Sequence, residues 1–509
     1  MPFTNPIIPG FHPDPSICRV GHDYFLVTSS FEYFPGVPLF HSRDLVNWRL
    51  IGHCLDRPSQ LPLAGVRPSG GIYAPTLRHH DGVFYMVTTN VTNGGNFYVH
   101  TRDPFGPWSE PVWVEQGGID PSLLFDGDRM YLTTSYGSAF PVPDEIDPAT
   151  FQWGVQQSVI DIATGRIVEQ PRLIWSGTGG KYPEAPHLYR IGDSYYLMIA
   201  EGGTEYGHME TIAHSGSPWG PWEPCPHNPI LTHRSHQSPF QGLGHADLVE
   251  AHDGSWWAVC LGFRPQGYPP VYHLGRETFL APVRWDAEGW PQIGEAGRVR
   301  VSVESPRLQP SPWQPPPARD DFDGPALGLV WNFLGNPAAE SWSLAERPGA
   351  LRLLGSAARL DDGPPVTFVG RRQQHLACEA SALLEFAPAA EGEEAGLTVW
   401  MNPRHHYDLF VVGAGASREL CVRQRVGDLG AVVARRPLPD GPVVLRIRAE
   451  PERYTFGYDT EADGPQTLAH GQTRYLATEV AGGFTGVYLA MYATGGGTPA
   501  FFEWFDYQP

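Results

Sequence analysis

Three acidic residues, Asp14, Asp120 and Glu184, are scattered through the chain but sit in versions of one short motif. Pro13-Asp14-Pro15-Ser16-Ile17 returns as Asp120-Pro121-Ser122-Leu123. Ala74-Pro75-Thr76-Leu77 and Ala185-Pro186-His187-Leu188 keep its frame, the latter with Glu184 directly ahead of it, and His245-Ala246-Asp247-Leu248 is a looser fifth copy. Paired carboxyl groups best suit hydrolysis of a glycosidic bond. That reaction needs a protonated acid at the leaving oxygen and an ionised carboxylate on the opposite side of the sugar ring. An ordinary carboxyl group has a pKa of about 4, so the acid must be raised to keep its proton at neutral pH. A third carboxylate nearby does this by like-charge repulsion. Taken singly, Asp14 and Asp120 read equally well as turn openers ahead of a proline; Glu184 at a matching register favours chemistry.

The elements that must gather these residues are strands. Each motif is followed by a polar turn and then an aromatic-rich run: Tyr24-Phe25-Leu26-Val27, Phe84-Tyr85-Met86-Val87, Met130-Tyr131-Leu132-Thr133, Tyr195-Tyr196-Leu197-Met198 and Trp256-Trp257-Ala258-Val259. Five such units, roughly 45–65 residues apart, predict an all-β fold that begins with a five-bladed β-propeller. The innermost strands of a propeller run along one axis, so Asp14, Asp120, Glu184 and His245 are expected to line one cavity. Trp48, Trp108, Trp219 and Trp222 recur at one place in the units and are expected to pack between blades. The propeller is expected over 1–303. A proline-rich stretch at 304–319 reads as a stiff linker. Over 320–509 the aromatic pattern is gone, and runs such as Ala382–Phe386, Tyr407–Val412, Val443–Arg448 and Phe484–Leu489 alternate with turns, which predicts a β-sandwich.

Composition narrows the partners. With 35 Lys and Arg against 55 Asp and Glu, the formal charge is −20, which disfavours nucleic acid and anionic membranes. A neutral substrate suits it better. The six cysteines are widely spaced with no C-x-x-C pair, so free thiols are expected rather than a zinc site or disulfides. The N-terminus lacks a basic region followed by an apolar run, and no stretch approaches the ~18 apolar residues of a membrane span, so a cytoplasmic location is expected. No nucleophile elbow, zinc-protease helix, P-loop or dinucleotide fingerprint is present. Gly242-Leu243-Gly244 reads as a loop before a strand, without phosphate binding. His79-His80 and His405-His406 read as solvated turn or strand residues.

With these motifs assembled, the sequence resembles the glycoside hydrolase family 43 β-xylosidases that carry a C-terminal β-sandwich. The resemblance rests on Asn5–Ser16 (NPIIPGFHPDPS), Gly118–Ser122 (GIDPS), Tyr182–His187 (YPEAPH), Ile199–Thr204 (IAEGGT), Leu274–Thr278 (LGRET) and, opening the second domain, Asp321–Pro325 (DFDGP). It implies a jelly-roll, concanavalin-like second domain and an inverting mechanism. Asp14 matches the base that activates water, Glu184 the acid, and Asp120 the residue that orients the acid and raises its pKa; inversion implies carboxyls about 6.5–9.5 Å apart. Arg276 matches an arginine that bonds sugar hydroxyls. Phe31 and Ala74 match walls of the first sugar site, and Thr204 a residue beside it. Tyr73 stands where relatives usually have Trp in the leaving-group site. Phe484 matches a sandwich-domain residue reaching into the active site. His245 matches an axial histidine that in relatives often binds calcium through its ring and ordered waters; no cofactor is otherwise required.

The resemblance implies an exo-acting β-1,4-xylosidase releasing xylose from the non-reducing end of short xylo-oligosaccharides. The first alternative is an α-L-arabinofuranosidase, as sole or second activity in the same pocket. A rival of another class is a carbohydrate-binding propeller without catalysis, for which the full acid, base and modulator set would be superfluous. Relatives often form dimers or tetramers, which leaves a homo-oligomer open.

Overall fold

The computed structural model describes residues 2–137, 153–304, 306–415, 417–460 and 464–509. Residue 305 of the expected linker lies outside these. The described residues are almost wholly strand and turn; the one α-helix among them is the four-residue Thr478–Ala481. None of their helices is long and apolar enough to cross a membrane.

The first three hundred residues form five antiparallel sheets, each wound in sequence order. They open with the strands Ser16–Val20, Thr76–His80, Ile119–Asp126, Glu184–Ile191 and Gln241–Glu250. Each opening strand packs on the next, and the fifth packs back on the first, so the five close a ring around one axis. The aromatic runs form the second strand of each sheet, where Phe25, Phe84, Tyr131, Tyr196 and Trp257 are buried. The tryptophans pack as expected: Trp219 and Trp222, after the fourth sheet's third strand, lie against Tyr131, Val155 and Val159 of the third sheet, and Trp108 is buried with Cys54 and Leu55 of the first. Strand Pro2–Thr4 pairs with Ser302–Glu304, tying the start of the chain to the end of this region.

Below its mouth the axis is filled by a buried polar network. Asp247, fully buried, accepts bonds from Ser16 Oγ at 2.6 Å, the Ile17 amide at 3.0 Å, Arg78 Nη1 at 2.8 Å and Tyr189 OH at 2.7 Å. One carboxylate thus ties the opening strands of four sheets. Burial alone would favour its neutral form, but Arg78, His187 and the bond from Ser16 together outweigh burial and hold Asp247 far below the usual carboxylate range.

The second region packs an eight-stranded sheet on a six-stranded sheet. Its strands explain their own apolar runs. In the six-stranded sheet Val399, Leu409 and Leu489 face the core between the sheets, while their neighbours Trp400, Phe410 and Tyr488 belong to a second cluster with Phe11, Phe31 and Tyr33 of the propeller, where Tyr488 meets Phe11 and Tyr33 directly. A sheet buried on both faces requires near-continuous hydrophobic strands. The two regions also share backbone bonds, since strand Tyr33–Phe34 pairs with Phe333–Leu334.

Three sequence expectations need correction. Phe484 to Val487 is a loop, and the strand begins only at Tyr488. Gly242-Leu243-Gly244 lies inside strand Gln241–Glu250 rather than before it, with Gly244 against the ring of His208. His405 and His406 are buried rather than solvated; His406 is clamped between Asp408 and Asp361. All six cysteines are free and buried.

Candidate active site

The repeated motif is a bend. Asp14, Asp120, Ala185 and His245 hold φ of 55°, 51°, 53° and 49°, a left-handed conformation uncommon outside glycine. Strand pairing skips at the same places, between Ile119 and Ser122, Glu184 and His187, and Gly244 and Asp247. Such bulges turn a strand and re-aim its side chains. Four opening strands therefore kink at one end of the axis, and Asp14, Asp120 and His245 occupy the kinks. The matching residue in the fourth copy is Ala185, not Glu184. Its amide donates to Asp120 Oδ2 at 3.1 Å, while Glu184, one residue earlier, turns its carboxyl into the same space.

That space is a cavity of about 620 Å³ at the end of the axis, a size that suits a small ligand. All ten residues singled out in the sequence line it. The acids are Asp14, Asp120 and Glu184, with Arg276 and His245 beside them; Phe31, Tyr73 and Phe484 form an aromatic corner, and Ala74 and Thr204 complete the set. The rings of Phe31 and Tyr73 lie 5.2 Å apart, and each is 6.1 Å from Phe484.

Asp14 is buried and fully engaged. Arg276 Nη1 donates to Oδ1 at 2.8 Å, Ser29 Oγ donates to Oδ2, and His245 Nδ1 stands 3.6 Å from Oδ1. The same Nη1 reaches Thr204 Oγ1 at 3.0 Å, and Nη2 reaches the carbonyl of Phe484 at 3.3 Å. The Arg276 guanidinium also lies 5.7 Å from the ring centres of Phe31 and Phe484, within cation–π range. One arginine thus organises both the carboxylate and the aromatic corner.

The other two acids are both raised. Burial, then the charges of Asp120 and Asp14, push Glu184 well above the usual carboxyl value, against a smaller opposing pull from Arg276. Burial also raises Asp120, partly offset by His245 and the Ala185 amide. Burial drives the neighbouring His208 down to about 4, so it is neutral near pH 7. The site therefore pairs a carboxyl able to hold a proton with one bonded to a guanidinium, the division of labour that acid-assisted hydrolysis needs.

Calcium prefers six to eight oxygen ligands. His245 offers one nitrogen, Asp14 is taken by Arg276 and Ser29, and Asp247 by Arg78, Ser16 and Tyr189. The axial side chains supply no oxygen cage of their own, so an ion held there would draw its oxygen ligands from water. The one cluster of three or more potential metal ligands among the described residues is the exposed His227, Asp286 and Glu288.

Sequence reasoning missed Arg67, Ser69, Tyr182, Glu205 and His208, which also line the cavity. They fall outside the repeated motif, on loops and strand ends that only the closed ring brings to its mouth. Adjacency to Glu184 and Thr204 was the available signal for Tyr182 and Glu205.

Known proteins agree with this geometry. Residues 3–291 match the model of glycosyl hydrolases family 43, and residues 319–508 match the β-xylosidase C-terminal concanavalin A-like domain. A non-reducing end α-L-arabinofuranosidase of Bacteroides ovatus is 49% identical over 99% of this chain and 94% of its own. A xylosidase/arabinosidase of Butyrivibrio fibrisolvens is 36% identical over 97% and 96%. The crystal structure of a xylan β-1,4-xylosidase from Bacillus halodurans, 36% identical, superposes over the whole of both chains with a TM-score of 0.94. The non-catalytic alternative thereby drops out: bent strands, tuned acids and both family matches place this chain among the glycoside hydrolases, and it belongs to glycosyl hydrolases family 43.

Proposed function

We propose that the protein is an exo-acting, inverting β-1,4-xylosidase that releases xylose from the non-reducing end of short xylo-oligosaccharides in the cytoplasm. The observation that carries this reading is the sandwich-domain loop bearing Phe484, which walls one side of the cavity holding Asp14, Asp120 and Glu184. A walled pocket admits a chain end and not the middle of a polymer. Asp14 takes a proton from water as it attacks the anomeric carbon, and Glu184 delivers its own proton to the leaving oxygen. Asp120 keeps Glu184 protonated by its charge. Arg276 holds Asp14 and, with Thr204, offers bonding to sugar hydroxyls. The five sheets are five blades spanning 1–303, 304–319 is the linker, and 320–509 is the domain that completes the pocket.

A second reading, α-L-arabinofuranosidase, is favoured by the name of the 49%-identical relative. The two sugars place similar hydroxyls around the scissile bond, and small pocket contacts discriminate by only ~1–3 kcal/mol each. Initial rates on 4-nitrophenyl β-D-xylopyranoside and α-L-arabinofuranoside decide between them, and a clear preference for the arabinoside overturns the primary reading. Proton NMR of xylobiose in the first minutes is expected to show α-xylose ahead of mutarotation; β-xylose first would remove Asp14 from the role of base.

A further inference from the structure

We propose that Ser69 is a positioning residue for sugar binding: its hydroxyl, with its amide fixed by the buried carboxyl of Glu32, holds Phe484 of the sandwich domain in the pocket wall. Ser69 lies on the connection between the first and second sheets and lines the cavity. It is 7% exposed and held at φ 58°. The amide of Phe484 donates to Ser69 Oγ at 2.9 Å, and the Phe484 carbonyl accepts from Arg276, so this residue is gripped at both ends by the propeller. The approach requires glycine next door: a Cβ on Gly483, itself at φ 85°, would stand 2.5 Å from Ser69 Oγ.

Glu32 supports the grip from behind. It is 3% exposed, its Oε2 accepts the Ser69 amide at 3.0 Å, and its backbone carbonyl accepts the amide of Gly335 from the sandwich domain at 2.8 Å. Among the described residues no cation lies within ion-pair distance of it, and burial pushes its carboxyl up to about 7. A buried carboxyl with no countercharge is costly. Its geometric product here is a fixed Ser69 amide and, through the hydroxyl, a fixed Phe484.

The inference rests on the cavity being the sugar site, and its test keeps the two apart. Ser69→Gly removes the hydroxyl while suiting the left-handed backbone, so folding is retained. On whichever aryl glycoside is turned over, KM is expected to rise about five- to tenfold with kcat within about twofold, the loss of one hydrogen bond's worth of ordering. Phe484→Ala is expected to raise KM similarly, and the double variant to be no worse than Phe484→Ala alone, because there is then no ring to position. Glu32→Ala should reproduce the effect and Glu32→Gln, which keeps an acceptor, should restore it. Independently of substrate, hydrogen exchange of the Phe484 amide should accelerate in Ser69→Gly while the sandwich strands stay protected. Unchanged KM, additive single effects, a fall in kcat alone, or unchanged exchange at Phe484 would each overturn the assignment. Absence of turnover on both glycosides would sink the substrate reading and leave the exchange experiment to decide on Ser69.

Discussion

Glu184 and Asp120 differ from ordinary surface carboxyls because they share a buried space with a third acid. Removal of a general acid typically costs 10²–10⁴ in rate, so Glu184→Gln is expected to lose about that on xylobiose while xylose binding, measured by calorimetry, changes little. Burial and then the charge of Asp120 raise Glu184, and the proposed mechanism requires Glu184 protonated, so activity is expected to fall as pH rises through its pKa. Asp120→Asn removes one negative charge, the Glu184 pKa drops, and the alkaline limb of kcat/KM moves to lower pH, by about one unit if the charge contributes about 1.4 kcal/mol. A limb that stays in place or moves to higher pH would remove Asp120 from its modulating role. At this scale the sequence was informative, since the acids announce themselves by residue type beside repeated prolines. Ser69 and Glu32 do not, because Ser69 is partnered by Phe484, hundreds of residues away, and Glu32 acts only through the Ser69 amide.

At the scale of the element, the motif marks where a strand bends. Side-chain alternation located the strands, but no alternation rule reveals that four of five motifs adopt positive φ, and that kink turns Asp14 and Asp120 toward one space. The same limit explains His406. Read along the chain it is a polar pair in a strand; in the sheet it lies beside Asp408, which also accepts from Arg423 Nε at 2.7 Å and Thr398 Oγ1 at 2.8 Å. Burial opposes charge on Asp408, yet His406 and Arg423 outweigh it and lower its pKa from 3.8 to about 2. A depressed carboxyl stabilises the fold above its unfolded pKa and loses that contribution as pH falls through the folded one. Asp408→Asn is therefore expected to cost about 3–5 kcal/mol near pH 7, as for breaking a buried pair. In urea titrations the gap from the parent protein should narrow as pH drops from 4 towards 2. A gap constant over that range would mean that His406 and Arg423 do not hold Asp408 ionised.

At the scale of the whole molecule, the two regions share one hydrophobic core. Leu55, Leu61 and Leu63 of the propeller belong to the same cluster as Phe322, Phe333 and Leu351, and Tyr33 stacks on Tyr488 with ring centres 4.0 Å apart. Scanning calorimetry is expected to show one unfolding transition for the full chain, and two resolved transitions would show that the interface adds little.

The sequence by itself determined the strands, the repeat, the change of character near residue 304 and the three acids. Those features depend on residue type and local spacing, which the chain carries openly. Only the tertiary structure decided that Phe484 sits on a loop after Thr478–Ala481 rather than on a strand, that Gly275 and Gly486 come within touching distance beside it, and that Ser69 and Arg276 grip it from the propeller. Those outcomes depend on ring closure and domain docking. Both are set by the summed packing of distant surfaces, to which no single stretch of sequence holds the key.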